Sequence, residues 1–371
     1  MELVDTQDLK SCGPKKSVRV QFPPGALKVS DSYVAFFIMK FLIIRFSSIG
    51  DIVLTTPAIR CLKKQIPGAE VHFLTKEKMK AVTIANPYID KFHYYTNDLN
   101  VIAEEIKKEN FDYIIDLHKN LRTWLLSLKL FTTKAEWLSY RKLSLEKFVL
   151  TKFKINLLPK RHISLRCIDA LAPLGVMNDG KGLDYFIPEN EHIKDGDLPH
   201  GHLFGYIAIV IGATHNTKKL PVYKLQEICV NVNYPIILIG GNEDAEQGNQ
   251  IASINQQKIF NACGKFSLNE SADLVRKAKL VISHDTGLQY IASAFQKPVL
   301  AIWGGTSPKL QVEPFYGTKN TALHTNFIVP GLPCQPCSNY GTKTCPRGHF
   351  KCMKNQNIDL IVKTAASYLK Q

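Results

Sequence analysis

The sequence predicts an α/β protein made of two doubly wound halves, and three stretches carry that expectation. Leu280 to Trp303 reads strand–helix–strand: the apolar runs Leu280–Ser283 and Pro298–Trp303 flank a segment with Leu288, Ile291 and Phe295 at helical spacing. Lys40 to Lys64 reads strand–glycine loop–helix, the opening of a βαβ unit. Between these two stretches, residues 179–205 are rich in Gly, Pro and acidic residues, and the alternation restarts after them, so an interdomain linker is expected there. At 371 residues the chain is long enough for two domains.

Residues 1–38 stand apart, being polar, carrying Pro23-Pro24-Gly25 and showing no sustained period. Met39 directly precedes the first good strand and reads as the natural start, which makes the preceding residues a gene-call artefact or a disordered arm. The first domain is expected over 39–190. Its first strand, Lys40–Phe46, runs into Ser47-Ser48-Ile49-Gly50-Asp51. A helix from about Ile52 to Lys64 follows, with Leu54, Ala58, Ile59 and Leu62 on its apolar side and a kink or late first turn at Pro57. The turn lacks the G-x-G-x-x-G fingerprint, which argues against a nicotinamide dinucleotide. In its place stands a carboxylate, Asp51. It either complements the positive helix end or faces a cleft as a general base for an acceptor hydroxyl.

Further strands are expected at Glu70–Leu74 and Tyr113–Leu117, with a helix from Asn97 to Glu109 between them. His118, Lys119 and Arg122 follow the carboxyl end of the latter strand, taken as the third, and are candidates to face the same cleft. The basic stretch Lys134 to Arg166, with Trp137, Tyr140 and Phe148 interspersed, reads as a solvated face, an anionic-acceptor surface or a membrane-facing one.

The second domain is expected over 200–354. Strand Tyr206–Ile211 leads into a loop carrying Thr214 and Lys218; helix Leu225–Val232 and strand Pro235–Ile239 follow, the latter ending at a turn with Glu243. The capping box Ser267-Leu268-Asn269-Glu270 opens the helix before Leu280. At His284-Asp285-Thr286-Gly287 a strand ends and a helix begins, an anion site at the carboxyl edge of a parallel sheet that suits a nucleotide diphosphate. Lys218 suits a phosphate and Glu243 the hydroxyls of a ribose. A closing helix, Asn357 to Lys370, lies within a last segment, 355–371.

The balance of 47 Lys+Arg against 32 Asp+Glu, a formal +15, predicts attraction to nucleic acid, an anionic membrane or a phosphorylated substrate. Nucleic acid is disfavoured, because no aromatic-interleaved basic module or zinc-finger spacing is present. No uninterrupted apolar run reaches the roughly 20 residues that span a bilayer, so the cytoplasm is the expected compartment. Cys334, Cys337, Cys345 and Cys352 cluster in a Pro- and Gly-rich tail beside His349, where they could hold a structural zinc; a disulfide is the alternative that a reducing compartment disfavours.

Phe46 to Pro57, Lys218-Lys219-Leu220-Pro221, Gly264-Lys265-Phe266-Ser267-Leu268, and Asp285-Thr286-Gly287 with Lys297-Pro298 and Trp303-Gly304 stand in an order and spacing that resembles the ADP-heptose–lipopolysaccharide heptosyltransferases, glycosyltransferase family 9. The resemblance covers about residues 39 to 360. It implies a GT-B fold, two Rossmann-like domains facing a cleft, and an inverting transfer of heptose from ADP-heptose to a lipopolysaccharide inner-core acceptor that needs no metal or other cofactor. It makes Asp51 the general base. Thr214, Lys218, Glu243, Asp285, Thr286, Gly287, Leu288 and Tyr290 fall on the donor side, with Asp285 holding sugar hydroxyls. Ser48, Gly50, His118, Lys119 and Arg122 fall on the acceptor side. The implied partners are the nucleotide-sugar donor, an anionic lipid-linked saccharide and the cytoplasmic face of the inner membrane. The family commonly carries His where this chain has Tyr290, which leaves open another nucleotide sugar and a different surface polysaccharide. A nucleotide-sugar-binding protein without transfer activity is the competing class.

Overall fold

The structure is a computed structural model that describes residues 38–318 and 323–370. The expectation for residues 1–38 therefore lies outside the described residues except at Ile38. One parallel sheet holds β1 (Met39–Ile44), β2 (Ala69–Lys76), β3 (Lys91–Tyr95), β4 (Tyr113–Asp116) and β5 (Glu136–Ser139) in the order β3-β2-β1-β4-β5. Its helices are α1 (Ile49–Val53), α2 (Thr56–Gln65), α3 (Lys80–Thr83), α4 (Leu99–Glu109), α5 (Leu121–Lys129), α6 (Ser144–Phe153) and α7 (Ile163–Asp169).

A second parallel sheet holds β6 (Ile207–Val210), β7 (Ile236–Ile239), β8 (Ile259–Asn261), β9 (Leu280–His284), β10 (Val299–Ile302) and β11 (His324–Phe327) in the order β11-β10-β9-β6-β7-β8. Around it lie α8 (Val222–Asn231), α9 (Ala245–Ala252), α10 (Leu268–Lys277), α11 (Gly287–Ala294), α12 (Lys351–Lys354) and α13 (Ile358–Leu369). The inner strands are buried along most of their length, as sheets covered by helices on both faces require.

The winding direction reverses between β1 and β4 in the first sheet and between β6 and β9 in the second. Ligands of open α/β sheets bind at such reversals, outside the carboxyl ends of the strands. The turns after these four strands carry Asp51, His118, Lys218 and Asp285. The halves meet through helices: α1 packs on α11 and α3 on α10, and one apolar cluster joins Phe41, Ile52 and Ile59 to Ala272, Tyr290 and Ile291.

Four strands were not expected from the sequence: β3, β5, β8 and β11. Each is a sheet edge. Tyr113–Asp116 is consequently the fourth strand of its sheet rather than the third. The helix expected over 52–64 is two helices, with Pro57 at the second position of α2, where its missing N–H has no intrahelical acceptor to lose. The linker is tied down. Arg60 of α2, only 2% exposed, donates to Asp179 and Asp184 and to the Gly182 carbonyl. A buried guanidinium needs that full set of acceptors. Ser267 caps α10 with Glu270 in reciprocal contact, and α13 packs against α8 with Ile358, Ile361 and Ala365 in the core.

Candidate active site

Two turns of like construction face each other across the halves. In the first, Asp51 is the third residue of α1, and its Oδ2 accepts the Ser48 backbone N–H (3.2 Å) and the Ser48 hydroxyl (2.8 Å). Arg45 Nη2 meets Asp51 Oδ1 at 2.7 Å. The same guanidinium donates to the carbonyls of Ser47 and Leu117, tying the ends of β1 and β4 together. Burial pushes the Asp51 carboxyl up, but Arg45 and the Ser48 donors outweigh it and hold the group below its ordinary range. The side chain keeps 28% exposure, so an ionised carboxylate remains approachable.

In the second turn Asp285 lies just before Thr286, the N-cap of α11. Its Oδ2 accepts from Lys218 Nζ (2.8 Å) and the Thr306 hydroxyl (2.9 Å), and Lys218 also donates to the Asp285 carbonyl (3.0 Å). The Tyr290 hydroxyl stands 3.0 Å from Asp285 Oδ1 and 2.7 Å from the Val312 carbonyl; with one proton it donates to one of them at a time. Burial and the neighbouring Asp285 keep that phenol protonated far above its ordinary range. The Asp285 side chain is 8% exposed.

The turns touch through glycines. A Cβ on Gly50 would stand 2.7 Å from Tyr290 Cδ2, and one on Gly287 would stand 2.6 Å from Ile49 Cγ2. No other residue permits this approach of the two helix ends. Leu288 is half-buried and packs into the cores, so its side chain serves packing. Thr286 leaves the first amides of α11 without a side-chain cap. Thr214 and Glu243 are exposed on the loops after β6 and β7, while the neighbouring Lys219 pairs with buried Asp244 at 2.6 Å.

On the β4 rim, the backbone N–H groups of His118 and Lys119 donate to Asp116 Oδ1 (2.8 and 2.7 Å). Burial and Arg45 push the His118 imidazole down to about 3, so it is neutral, edge-on to Phe46. Arg122 lies over the rings of Tyr95 and Phe46, at 5.1 and 5.5 Å. Sequence reasoning missed Arg45, Thr306 and Lys147. The Lys147 ammonium, on α6, is pushed down to about 8 by burial and by Arg166, against the opposing pull of Asp51. A signal for Arg45 existed: a lone charge closing an otherwise apolar strand needs a buried partner.

The tail cysteines Cys334, Cys337, Cys345 and Cys352 lie near enough to act on one another electrostatically, but among the described residues no three of their thiols stand within 4.8 Å of one another. Cys334 Sγ lies 3.8 Å from His349 Nε2 and Cys337 Sγ 3.5 Å from the Gly305 carbonyl. Among the described residues, the set of three donors lying within 4.8 Å of one another is instead His72, His93 and Glu109. There His72 Nδ1 faces His93 Nε2 at 2.9 Å, the separation of an N–H···N hydrogen bond. A tetrahedral zinc at about 2.0 Å from both nitrogens would hold them about 3.3 Å apart, wider than they stand here.

The model of glycosyltransferase family 9 (heptosyltransferase) matches residues 100–346. Lipopolysaccharide heptosyltransferase 1 of Campylobacter coli is 26% identical over 297 residues, spanning 72% of this chain and 84% of that protein. A family 9 glycosyl transferase from Veillonella parvula superposes with a TM-score of 0.69 at 22% identity, covering 90% of this chain and 97% of that one. The Escherichia coli heptosyltransferase WaaC with ADP gives 0.65 at 18% identity, covering 89% and 100%. At these identities the two structures speak for the fold, which is the expected GT-B arrangement. A family match over more than half of the length goes further: the chain belongs to glycosyltransferase family 9 and is a glycosyltransferase.

Proposed function

We propose that the enzyme moves a heptose from ADP-heptose to a lipopolysaccharide inner-core acceptor with inversion, and that Asp51 is its base. The observation that carries the reading is the pair of facing turns: an ionised, approachable carboxylate on one, and Lys218 with an uncapped helix N-terminus on the other. The acceptor hydroxyl gives its proton to an Asp51 carboxylate oxygen as its own oxygen bonds to the anomeric carbon. The bond from that carbon to the diphosphate oxygen breaks, and ADP leaves with the electron pair.

The charge that develops on the diphosphate meets two supports. Lys218 has three N–H donors; the Asp285 carboxylate and carbonyl use two, leaving one for a phosphate oxygen. The first amides of α11 have no intrahelical acceptor and point the positive helix end at the same place. Fixed donors of this kind stabilise a leaving anion without a metal. Thr214 and Glu243 serve the nucleotide end. Ser48, Gly50, His118, Lys119 and Arg122 border the acceptor. The ADP bound by WaaC supports an adenine nucleotide here.

The reaction is set in the cytoplasm at the inner face of the membrane, where a soluble donor meets a lipid-linked acceptor; among the described residues no helix is long and apolar enough to cross a membrane. A structural zinc at Cys334, Cys337, Cys345 and Cys352 is a separate reading that requires the thiols to draw together, and metal analysis of the purified protein tests it. The donor is tested by following ADP, UDP and GDP release from their sugar conjugates with a lipopolysaccharide-core acceptor. Release of ADP from ADP-heptose is expected. Acceptor-dependent turnover of a different conjugate alone overturns the donor assignment.

A further inference from the structure

Helix α5 is apolar on both sides. Leu126, with Leu130 just beyond the helix, is fully buried against Ile102 and Ile106 of α4, which accounts for one face. The other face shows Leu121, Trp124, Leu125 and Leu128 at i, i+3, i+4 and i+7, followed by Phe131, and all five are exposed. Trp124 keeps 56% of its surface and Phe131 78%. A singly exposed Leu or Phe is ordinary; a helical stripe of them is not. Ten of the 22 large exposed apolar side chains among the described residues fall between 121 and 157, about a tenth of the chain.

Charge is concentrated in the same segment. Residues 119–166 hold twelve Lys or Arg against two Asp or Glu, a balance of +10 within the formal +15 of the whole chain. The segment also adjoins the site: Asn120, next after His118 and Lys119, caps α5, and Lys142 Nζ donates to the Lys119 carbonyl at 2.7 Å, holding the β5–α6 loop against the start of α5. Apolar side chains set among basic ones, beside a rim that takes a lipid-linked acceptor, match a bilayer interface with anionic headgroups.

We propose that the outer face of α5, with the basic segment around it, docks the enzyme onto an anionic lipid bilayer. Leu121, Trp124, Leu125, Leu128 and Phe131 enter the headgroup–acyl boundary, and the surrounding Lys and Arg meet the lipid phosphates. The orientation sets the acceptor rim of the cleft at the membrane surface, so a lipid-anchored saccharide reaches Asp51 without leaving the bilayer. The surface itself stands on exposure and charge; only its use in delivering the acceptor rests on the proposed function.

The test is co-sedimentation of the full chain with vesicles of phosphatidylglycerol and phosphatidylethanolamine, against vesicles of phosphatidylcholine alone. Binding is expected to favour the anionic vesicles and to weaken with salt. The triple variant Trp124→Ser, Leu128→Ser, Phe131→Ser should bind at least about tenfold more weakly with an unchanged melting curve, because all three side chains are exposed. Lys129→Glu with Lys134→Glu should weaken binding to anionic vesicles only. Equal binding by the triple variant and the wild type overturns the proposal. So does a wild-type oligomer that the triple variant dissolves, which would make the face a contact between copies. Transfer to a soluble acceptor fragment should survive in the triple variant. Loss of vesicle binding in a protein that transfers no heptose would leave the surface standing and the proposed function fallen.

Discussion

The Asp51 and Asp285 turns occupy the same topological place in their two sheets and each pairs its carboxylate with one cation, but they differ in enclosure. Asp51 meets one guanidinium and its own capping serine and keeps 28% exposure. Asp285 meets an ammonium, a threonine hydroxyl and a tyrosine hydroxyl and keeps 8%. A carboxylate that accepts a proton during turnover has to be ionised and reachable. One that fixes a lysine has to be enclosed, since the low local dielectric strengthens the pair. The difference teaches that matched strand–turn–helix units are set apart by their neighbours, Arg45 on one side and Lys218, Thr306 and Tyr290 on the other, and the function proposed above gives them different work accordingly.

Five outcomes break or sharpen that contrast. Asp51→Asn keeps the cap geometry and removes the base, so kcat should fall by about 10²- to 10⁴-fold while ADP affinity, read by calorimetry, stays within about twofold. Asp285→Asn should do the reverse: it strands Lys218, lowers stability by about 3 kcal/mol in urea titration, and perturbs donor KM along with kcat. Transfer that survives Asp51→Asn while Asp285→Asn abolishes it without loss of stability would exchange the two roles. Gly287→Ala drives a methyl group into Ile49, and about 1–3 kcal/mol of lost stability should appear as a lower urea midpoint. Tyr290→Phe removes the hydroxyl from Asp285 and should cost about 1 kcal/mol, read in the same titration.

The pH dependence is a further effect, about 2 kcal/mol between pH 7 and pH 5. His284 Nε2 accepts the Leu220 N–H at 3.0 Å, and burial holds its imidazole down at about 3. The unfolded chain binds that proton near pH 6.5, so unfolded molecules carry more protons below it, and stability falls as pH drops from about 6.5 towards 3. The slope should approach about 1.4 kcal/mol per pH unit for His284, read as urea midpoints at pH 7 and pH 5. Asp51, whose carboxyl is held below its ordinary range, stays ionised between pH 7 and pH 5. The acid limb of activity should therefore follow unfolding rather than titration of the base.

Seven strands were legible as runs of Val, Ile, Leu and Phe, because inner strands of a parallel sheet are covered on both faces. The four unread strands are the edges, where one side lacks a strand neighbour and the sequence is free to be polar, as in Lys91–Tyr95 or His324–Phe327. Asp51 and Asp285 were readable because each stands at a helix start that follows an apolar strand. Their partners were harder to read: Arg45 shows only as a charge closing an apolar strand, and Thr306 is a loop hydroxyl. A second lesson comes from Pro57. It could be read as a kink or as a first turn, and the separation of α1 from α2 decides for the latter.

The contact of Gly50 with Gly287 also bears on motion. The two glycine backbones come close there, with the Tyr290 ring against Gly50 and the Ile49 side chain against Gly287. The contact can serve as a fulcrum for the two sheets. A rotation about it moves the far rims, including the start of α5 and the loops of Thr214 and Glu243, through long arcs. Asp51 and Asp285, close to the pivot, are displaced least, so the rims of the cleft can part while these two side chains keep their spacing.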